Sequence, residues 1–145
     1  MLRGINVSGQ KIVRMEDLRR LCESLGFRSI ESYVQSGNIV FLDGKKATSR
    51  VAKRISEAIL SEFGFPVSVL VKTVKEMKDV VENNPFVKER GIDQTKLHVT
   101  FLSDAVPKRA LTNLEKLSGK RDRFYAGCQE IYLYCLDGYG KTTLF

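Results

Sequence analysis

The amino-acid sequence predicts an α+β fold, and three observations support this. β-Branched and aromatic residues run up to Ser36-Gly37-Asn38 and resume at once, which is the pattern of two antiparallel strands joined by a tight turn. Apolar residues recur at steps of three and four in residues 15–25 and again in residues 51–63, as on one face of a helix. Short strand-like runs precede and follow these segments. The order strand, helix, strand, strand, helix, strand is that of a ferredoxin-like βαββαβ unit.

The first strand is predicted at Met1–Asn6, and residues 7–14 form a loop after it. The first helix carries its apolar stripe on Met15, Leu18, Leu21, Cys22 and Leu25. Gly26 ends this helix, because glycine adopts the left-handed conformation that commonly follows a last helical turn.

The hairpin is predicted from about Ile30 to Asp43, with Ser36-Gly37 as a two-residue loop. The facing pairs of this register are Gln35–Asn38, Val34–Ile39 and Tyr33–Val40. One face then carries Ile30, Val34, Ile39 and Phe41, and the other carries Tyr33, Val40 and Leu42. Since both faces are apolar, we expect other parts of the chain to cover both.

A second helix begins near a capping Thr48 or Ser49, ends at Gly64 and cannot resume through Pro66. The strand Val67–Lys72 completes a first half over residues 1–72, and we expect a second α+β half over residues 73–145. Its predicted elements are a helix from Thr73 to Val81, a strand at Lys96–Leu102, a helix from Pro107, and a hairpin of Arg123–Ala126 and Glu130–Leu136. The predicted architecture is therefore two ferredoxin-like halves packed together.

Composition and charge limit the classes of function. The 145 residues are 43% hydrophobic and 28% charged, which is ordinary for a globular protein. Of the net charge of +7, residues 1–66 contribute +4 and residues 67–145 contribute +3, so the chain has no basic tail and attracts anions only weakly at long range. The sequence shows no apolar run of the roughly 20 residues that span a bilayer and no signal peptide. Three cysteines in neither a disulfide framework nor a CxxC pair indicate a reduced, cytoplasmic setting.

Catalytic and metal sites have little support in the sequence. His98 is the single histidine, and no Ser, Cys or Asp near it in sequence forms a nucleophile–base arrangement. One histidine and scattered cysteines are not a set of metal ligands at familiar spacing. Gly140-Lys141-Thr142 resembles the end of a phosphate-binding loop, but the first glycine of that motif would fall at Cys135. We predict no metal and no cofactor, and the sequence leaves open whether the protein is an enzyme.

Anion binding has more support. A basic βαββαβ unit is similar to an RNA-recognition module, whose central strands present aromatic rings; here only Phe41 lies on those strands, and we assign it to the helix-covered face. The other candidate surfaces are a tyrosine platform of Tyr125, Tyr132 and Tyr134 and a phosphate patch of Lys45, Lys46, Arg50, Lys53 and Arg54. Cross-strand packing and a solvated helix face are the structural alternatives.

Polar residues around the first strand and the hairpin tip form the main candidate site. In a βαββαβ sheet the first and third strands run parallel side by side, which places Arg3 near Asn38 and Asn6 toward the other end. An arginine in a central strand needs a protein acceptor or an anionic ligand. With the lysine of the last glycine turn added, the candidate ligand-binding residues are Arg3, Asn6, Gln35, Ser36, Asn38 and Lys141. Structural hydrogen bonds at turns and strand ends are the alternative.

Three motifs also give the chain a family resemblance: Leu2–Val7 followed by a glycine loop, Tyr33–Asn38, and Gly138–Lys141. Together they resemble a bacterial family catalogued as domain of unknown function 1697. The resemblance implies a bacterial cytosolic protein with paired ferredoxin-like halves, and it implies no established activity, substrate or cofactor. Members usually begin a few residues earlier and continue into an Arg-Asn-Trp segment, so we expect this chain to be truncated at both ends.

Three functions follow as hypotheses. The first is a non-catalytic module that binds an anionic ligand, with nucleic acid as the leading candidate. The second is an enzyme acting on a small phosphorylated or nucleotide-like substrate between the halves, near Arg3 and Asn38. The third is protein interaction or self-association through an uncovered apolar sheet face. We expect no membrane partner, and the sequence does not determine the oligomeric state.

Overall fold

The computed structural model describes residues 1–7, 9–44, 47–105, 107, 109, 111–112 and 122–142. The chain divides into two compact units, Met1–Thr73 and Val74–Phe145. Helices and small antiparallel sheets are both present, so the α+β class is confirmed, whereas the two ferredoxin-like halves are not. No helix within the described residues is long and apolar enough to cross a membrane.

The first unit has the element order expected from its sequence. It consists of β1 (Leu2–Arg3), α1 (Met15–Ser24), β2 (Arg28–Tyr33), β3 (Asn38–Leu42), α2 (Thr48–Phe63) and β4 (Ser68–Val69). β1 pairs antiparallel with β4, and β2 pairs antiparallel with β3. A backbone hydrogen bond of 3.1 Å from Leu2 N to Gly37 O links β1 to the hairpin turn. The first strand is shorter than predicted, because the backbone turns to positive φ at Gly4 and Asn6.

The core of the first unit lies between its helices and the inner sides of its strands. Its buried residues are Leu2, Ile5, Val13, Met15, Leu18, Cys22, Phe27, Val51, Ile55, Ile59 and Val67. The predicted ends of both helices are confirmed, with Gly26 at φ +82° and Gly64 at φ +77°. The predicted side-chain cap of α2 is wrong, because the residue at the N-cap position is Ala47.

The hairpin loop is longer than predicted. The observed pairs are Tyr33–Asn38, Ser32–Ile39 and Glu31–Val40, so Val34–Gly37 forms a four-residue loop and the predicted register is wrong. Gly37 has φ +73°, and a Cβ added there would lie 2.9 Å from Ile5 Cδ1. Glycine at this position therefore allows β1 to approach the loop closely. Gly37, which we expected to form the turn of a two-residue hairpin, instead provides the space for this contact.

One face of the hairpin is buried and the other is exposed. Ile30, Ile39 and Phe41 pack against the core, which confirms the inward assignment of Phe41. On the opposite face Tyr33, Val40 and Leu42 are 73%, 68% and 62% exposed. The expectation that both faces are covered is wrong, because apolar composition alone does not determine whether a second layer packs on a sheet.

The second unit contains α3 (Val74–Glu82) and a three-stranded antiparallel sheet. Its strands are β5 (Leu97–Phe101), β6 (Asp122–Ala126) and β7 (Glu130–Cys135), in the order β5–β7–β6. Short 3₁₀ helices lie at Pro85–Lys88, Gln94–Lys96 and Tyr139–Lys141. The central strand β7 is buried on both sides, with Tyr132 and Tyr134 on one face and Leu133 on the other. Most of the helix predicted from Pro107 falls outside the described residues.

Candidate functional site

Two loops of the first unit form the main candidate site. They are residues 4–12 (residue 8 lies outside the described part of the chain) and the hairpin loop Val34–Gly37; we call them the loop pair. The residues of the loop pair with positive φ are Gly4, Asn6, Gly9, Lys11, Val34 and Gly37. Such a density of left-handed residues produces tight turns, and it leaves Val7, Ile12 and Val34 exposed at the surface.

The Asn6 side chain joins the two loops. Its Oδ1 accepts a hydrogen bond from Val13 N at 2.8 Å, and its Nδ2 donates to Val13 O at 2.9 Å and to Gln35 O at 3.3 Å. Asparagine also tolerates the observed φ of +55° better than most residues. Both amide hydrogens are therefore used within the protein. The structure gives Asn6 the role of positioning the loops.

The side chains of Ser36 and Asn38 form a hydrogen bond at the hairpin loop. Asn38 Nδ2 donates to Ser36 Oγ at 3.0 Å, and Ser36 Oγ donates to Tyr33 O at 2.5 Å. Gln35 is exposed, and its carbonyl oxygen is the one that accepts from Asn6. These contacts match the structural alternative, in which turn residues satisfy backbone groups.

Arg3 differs from its neighbours because its charge has no partner among the residues that the structure describes. It is exposed on β1, where it pairs in register with Ser68. Its guanidinium makes no hydrogen bond or ion pair with any residue that the structure describes. Lys11, the cation of the loop pair, donates to Pro66 O at 2.9 Å. Because Arg3 is exposed, its guanidinium can be hydrated, so neither a protein acceptor nor an anionic ligand is required, contrary to the expectation from the sequence.

Lys141 belongs to the second unit. It is exposed at the end of the 3₁₀ helix Tyr139–Lys141, which follows Gly138 at φ +92°. The ring of Tyr139 also contacts His98, with 5.0 Å between the ring centroids. Five of the six candidate residues thus lie in the first unit and Lys141 lies in the second.

Of the predicted basic patch, Arg54 and Lys53 make structural contacts, and Arg50 is exposed. Arg54 Nη2 donates to Leu25 O at 2.8 Å, and its guanidinium lies over the Phe27 ring at 5.3 Å from the centroid. Lys53 faces Glu57 at 3.8 Å. Lys45 and Lys46 lie outside the described residues.

The tyrosines of the last hairpin pack against neighbouring side chains and do not form an exposed stacking surface. Tyr132 and Tyr134 are buried, and Tyr125 is the exposed member, with its ring 6.3 Å from that of Tyr132. Tyr134 packs on Phe86 and under the guanidinium of Arg123. Cross-strand packing, the structural alternative, describes this group.

Nucleophile and metal chemistry gain no support in the described residues. Desolvation by burial raises the pKa of the Cys22 thiol to about 11, and burial also raises the pKa of the Cys135 thiol. Both are therefore protonated at neutral pH, whereas a reactive cysteine is a thiolate. In the part of the chain that the structure describes, no three His, Cys, Asp or Glu side chains are grouped to hold a metal ion.

The exposed hairpin face is the feature that sequence reasoning missed. A signal was present in β2, where Glu31 shares the face of Tyr33 and Val40 and a charged side chain favours solvent. The charge of Glu31 therefore indicates a solvent-exposed face, although its neighbours on that face are apolar.

Fold and site together define an α+β protein of two compact units, in which an exposed arginine, without a partner among the described residues, lies beside two surface loops joined by Asn6. The chain belongs to the family described as "Protein of unknown function (DUF1697)", which matches residues 1–132, so the resemblance drawn from the sequence motifs is confirmed. Among solved structures it is similar to the conserved bacterial protein SP0830 from Streptococcus pneumoniae, with a TM-score of 0.72 and 23% identity over 98% of this chain and 79% of that chain. At this identity the likeness shows the fold alone. No curated protein matches the chain.

Proposed function

We propose that the chain is a non-catalytic module that binds an anionic ligand at Arg3 and the loop pair, with nucleic acid as the favoured ligand class. The observation that carries this proposal is the exposed Arg3 guanidinium, which has no partner among the described residues and lies next to loops fixed by Asn6. A guanidinium in such a position binds a phosphate through two parallel hydrogen bonds without first breaking an ion pair.

The distribution of charge supports the proposal. Residues 1–73 hold 12 Lys and Arg against 7 Asp and Glu, a net charge of +5, whereas residues 74–145 hold 12 against 10, a net charge of +2. The unit that contains Arg3 is thus the more basic one. Its field favours the approach of a polyanion, most strongly at low salt.

The wider setting is part of the same proposal. We infer a bacterial cytoplasmic protein of two ferredoxin-like halves, residues 1–72 and 73–145. The element order of the first unit supports this, and so does the bond from Leu2 N to Gly37 O, which lies where the first and third strands of such a half would pair. Gln35, Ser36, Asn38 and Lys141 stay proposed ligand-binding residues, and Asn6 positions the loops.

Fluorescence anisotropy with a labelled single-stranded oligonucleotide of about 12 nucleotides tests the proposal. We expect affinity to fall as salt is added, and Arg3→Gln to weaken binding about 5- to 30-fold, because a charge-assisted hydrogen bond contributes about 1–2 kcal/mol. Arg90→Gln is the matched control, since it removes the same charge from an exposed position in the second unit. Binding that is independent of salt, or equal losses in the two variants, would contradict the proposal.

Protein interaction or self-association is the second candidate function. The exposed apolar side chains of Tyr33, Val40 and Leu42 favour it, because contiguous apolar patches often mark interaction surfaces. Sedimentation velocity that gives a monomer at every concentration would count against self-association. The alternative of an enzyme acting on a small phosphorylated or nucleotide-like substrate stays a prediction that no observation tests.

A further inference from the structure

The register of the β2–β3 hairpin defines one continuous outer face. Residues that pair across an antiparallel ladder share a face, and so do residues two apart in one strand. The residues so placed are Arg28, Glu31, Tyr33, Asn38, Val40 and Leu42, and we call them the outer hairpin face. All six are exposed, and the half-buried residues Ile39 and Phe41 alternate with Asn38, Val40 and Leu42 along β3.

An aromatic ring on this face is the most exposed large apolar group of the described residues. Tyr33 is 73% exposed, and Val40, diagonally next to it, is 68% exposed. A ring that is so exposed is accessible to an unstacked base. Base–aromatic stacking is a main source of affinity in proteins that bind single strands, and a base inside a duplex cannot reach such a ring.

One cation lies on the face and another on the neighbouring strand β1. Arg28 pairs in register with Leu42, and its guanidinium makes no hydrogen bond or ion pair with the described residues. Arg3 is exposed on β1, whose Leu2 is bonded to the hairpin turn. Glu31 is the single carboxylate among the six residues of the face. Arg3 and Arg28, whose guanidinium groups have no partner among the described residues, complement a chain of phosphates that carries bases.

The same charges argue against a protein as the occupant. The core of a protein–protein interface is depleted of charged residues, and burying Arg28 and Glu31 there would cost desolvation, since neither side chain has a partner among the described residues. A nucleic-acid strand leaves the phosphates and the arginines at the wet rim while the bases cover the apolar side chains.

We propose that the outer hairpin face binds single-stranded nucleic acid, with a base stacked on Tyr33 and phosphates at Arg3 and Arg28. This inference rests on the proposed function and adds the ligand class and the surface. It predicts a preference for single strands over a duplex of the same sequence, because only an unpaired base can stack.

The test compares three variants by anisotropy with the single-stranded oligonucleotide and with its duplex. Tyr33→Leu removes the ring and keeps an apolar side chain, and we expect it to weaken single-strand binding about 5- to 150-fold. Tyr33→Phe keeps the ring and is expected to bind like the wild type. Tyr125→Leu is the control, because it removes another exposed tyrosine, from β6.

The outcomes separate this inference from the proposed function. If Tyr33→Leu binds as the wild type does while Arg3→Gln is weakened, the stacking inference is overturned and anion binding at Arg3 stands. If both variants bind as the wild type does, both proposals fail. If Val40→Lys abolishes a dimer seen by sedimentation and no oligonucleotide binds, the face is a protein interface and the inference is overturned.

Discussion

Replacing Asn6 with glycine removes the side chain that joins the loop pair and leaves the backbone free to keep its φ of +55°. Three side-chain hydrogen bonds are lost, two of them to the buried Val13 and one to the exposed turn at Gln35. At about 0.5–1.5 kcal/mol for each bond, with water replacing part of the outer one, we expect a loss of about 2–3 kcal/mol in the free energy of unfolding.

Asn6→Ala separates the backbone from the side chain. It loses the same three bonds and also forces an alanine to adopt the left-handed conformation, which costs about 1 kcal/mol more. Asn38→Ala is the control, because the Asn38 side chain makes one hydrogen bond among the described residues, to Ser36 Oγ, and we expect its loss to cost less than about 1 kcal/mol.

Urea unfolding followed by far-ultraviolet circular dichroism measures all three variants. The expected order of stability is Asn38→Ala, then Asn6→Gly, then Asn6→Ala. A loss below about 0.5 kcal/mol for Asn6→Gly would show that the amide does not hold the loops together, because ordinary surface substitutions lie in that range. An alanine variant as stable as the glycine variant would refute the argument from positive φ.

Three further predictions follow from packing and burial. Gly37→Ala should lower the free energy of unfolding by about 1–3 kcal/mol more than Gly64→Ala does. Both glycines have positive φ, but of the two only Gly37 would bring an added Cβ within 3.0 Å of another atom, in Ile5. Equal losses of stability in urea unfolding would contradict this reasoning. Burial raises the pKa of the Cys22 thiol from 9.0 to about 11, so the thiol ionises at a lower pH in the unfolded chain than in the folded one. The free energy of unfolding should therefore fall by about 2–3 kcal/mol as the pH rises from about 9 to about 11, and it should not depend on Cys22 at lower pH. Cys22→Ala should remove this contribution and make the alkaline loss of stability smaller by about the same amount, whereas a pH profile identical to that of the wild type would count against it. Cys128, which is exposed, should be alkylated in the folded protein before Cys22, as mass spectrometry of the modified peptides would report.

The elements that the sequence predicted well are those with a local signal. The three- and four-residue spacing of Met15, Leu18 and Cys22 identified the buried side of α1. The hairpin register failed, because Ser36-Gly37 carries the composition of a two-residue turn while Gly37 is needed for the close approach of Leu2 and Ile5. That requirement comes from a residue more than thirty positions away, and no local pattern expresses it.

The candidate site shows the same division. Motif and composition selected Arg3, Asn6 and Ser36, which lie on or beside the loop pair. Their roles could not be predicted, because one partner of the Asn6 side-chain amide is the backbone carbonyl oxygen of Gln35, which lies in a different loop. Exposure of the outer hairpin face depends on which surfaces the helices cover, so it too is a property of tertiary packing.

Nuclear magnetic resonance of the ¹⁵N-labelled protein, titrated with the single-stranded oligonucleotide, tests the account most directly. We expect the largest amide shift changes at Arg3, Tyr33, Asn38 and Val40 of the first unit, and these changes should shrink as salt is added. Changes confined to the second unit, or to the exposed side of α2 around Arg50 and Lys53, would contradict it.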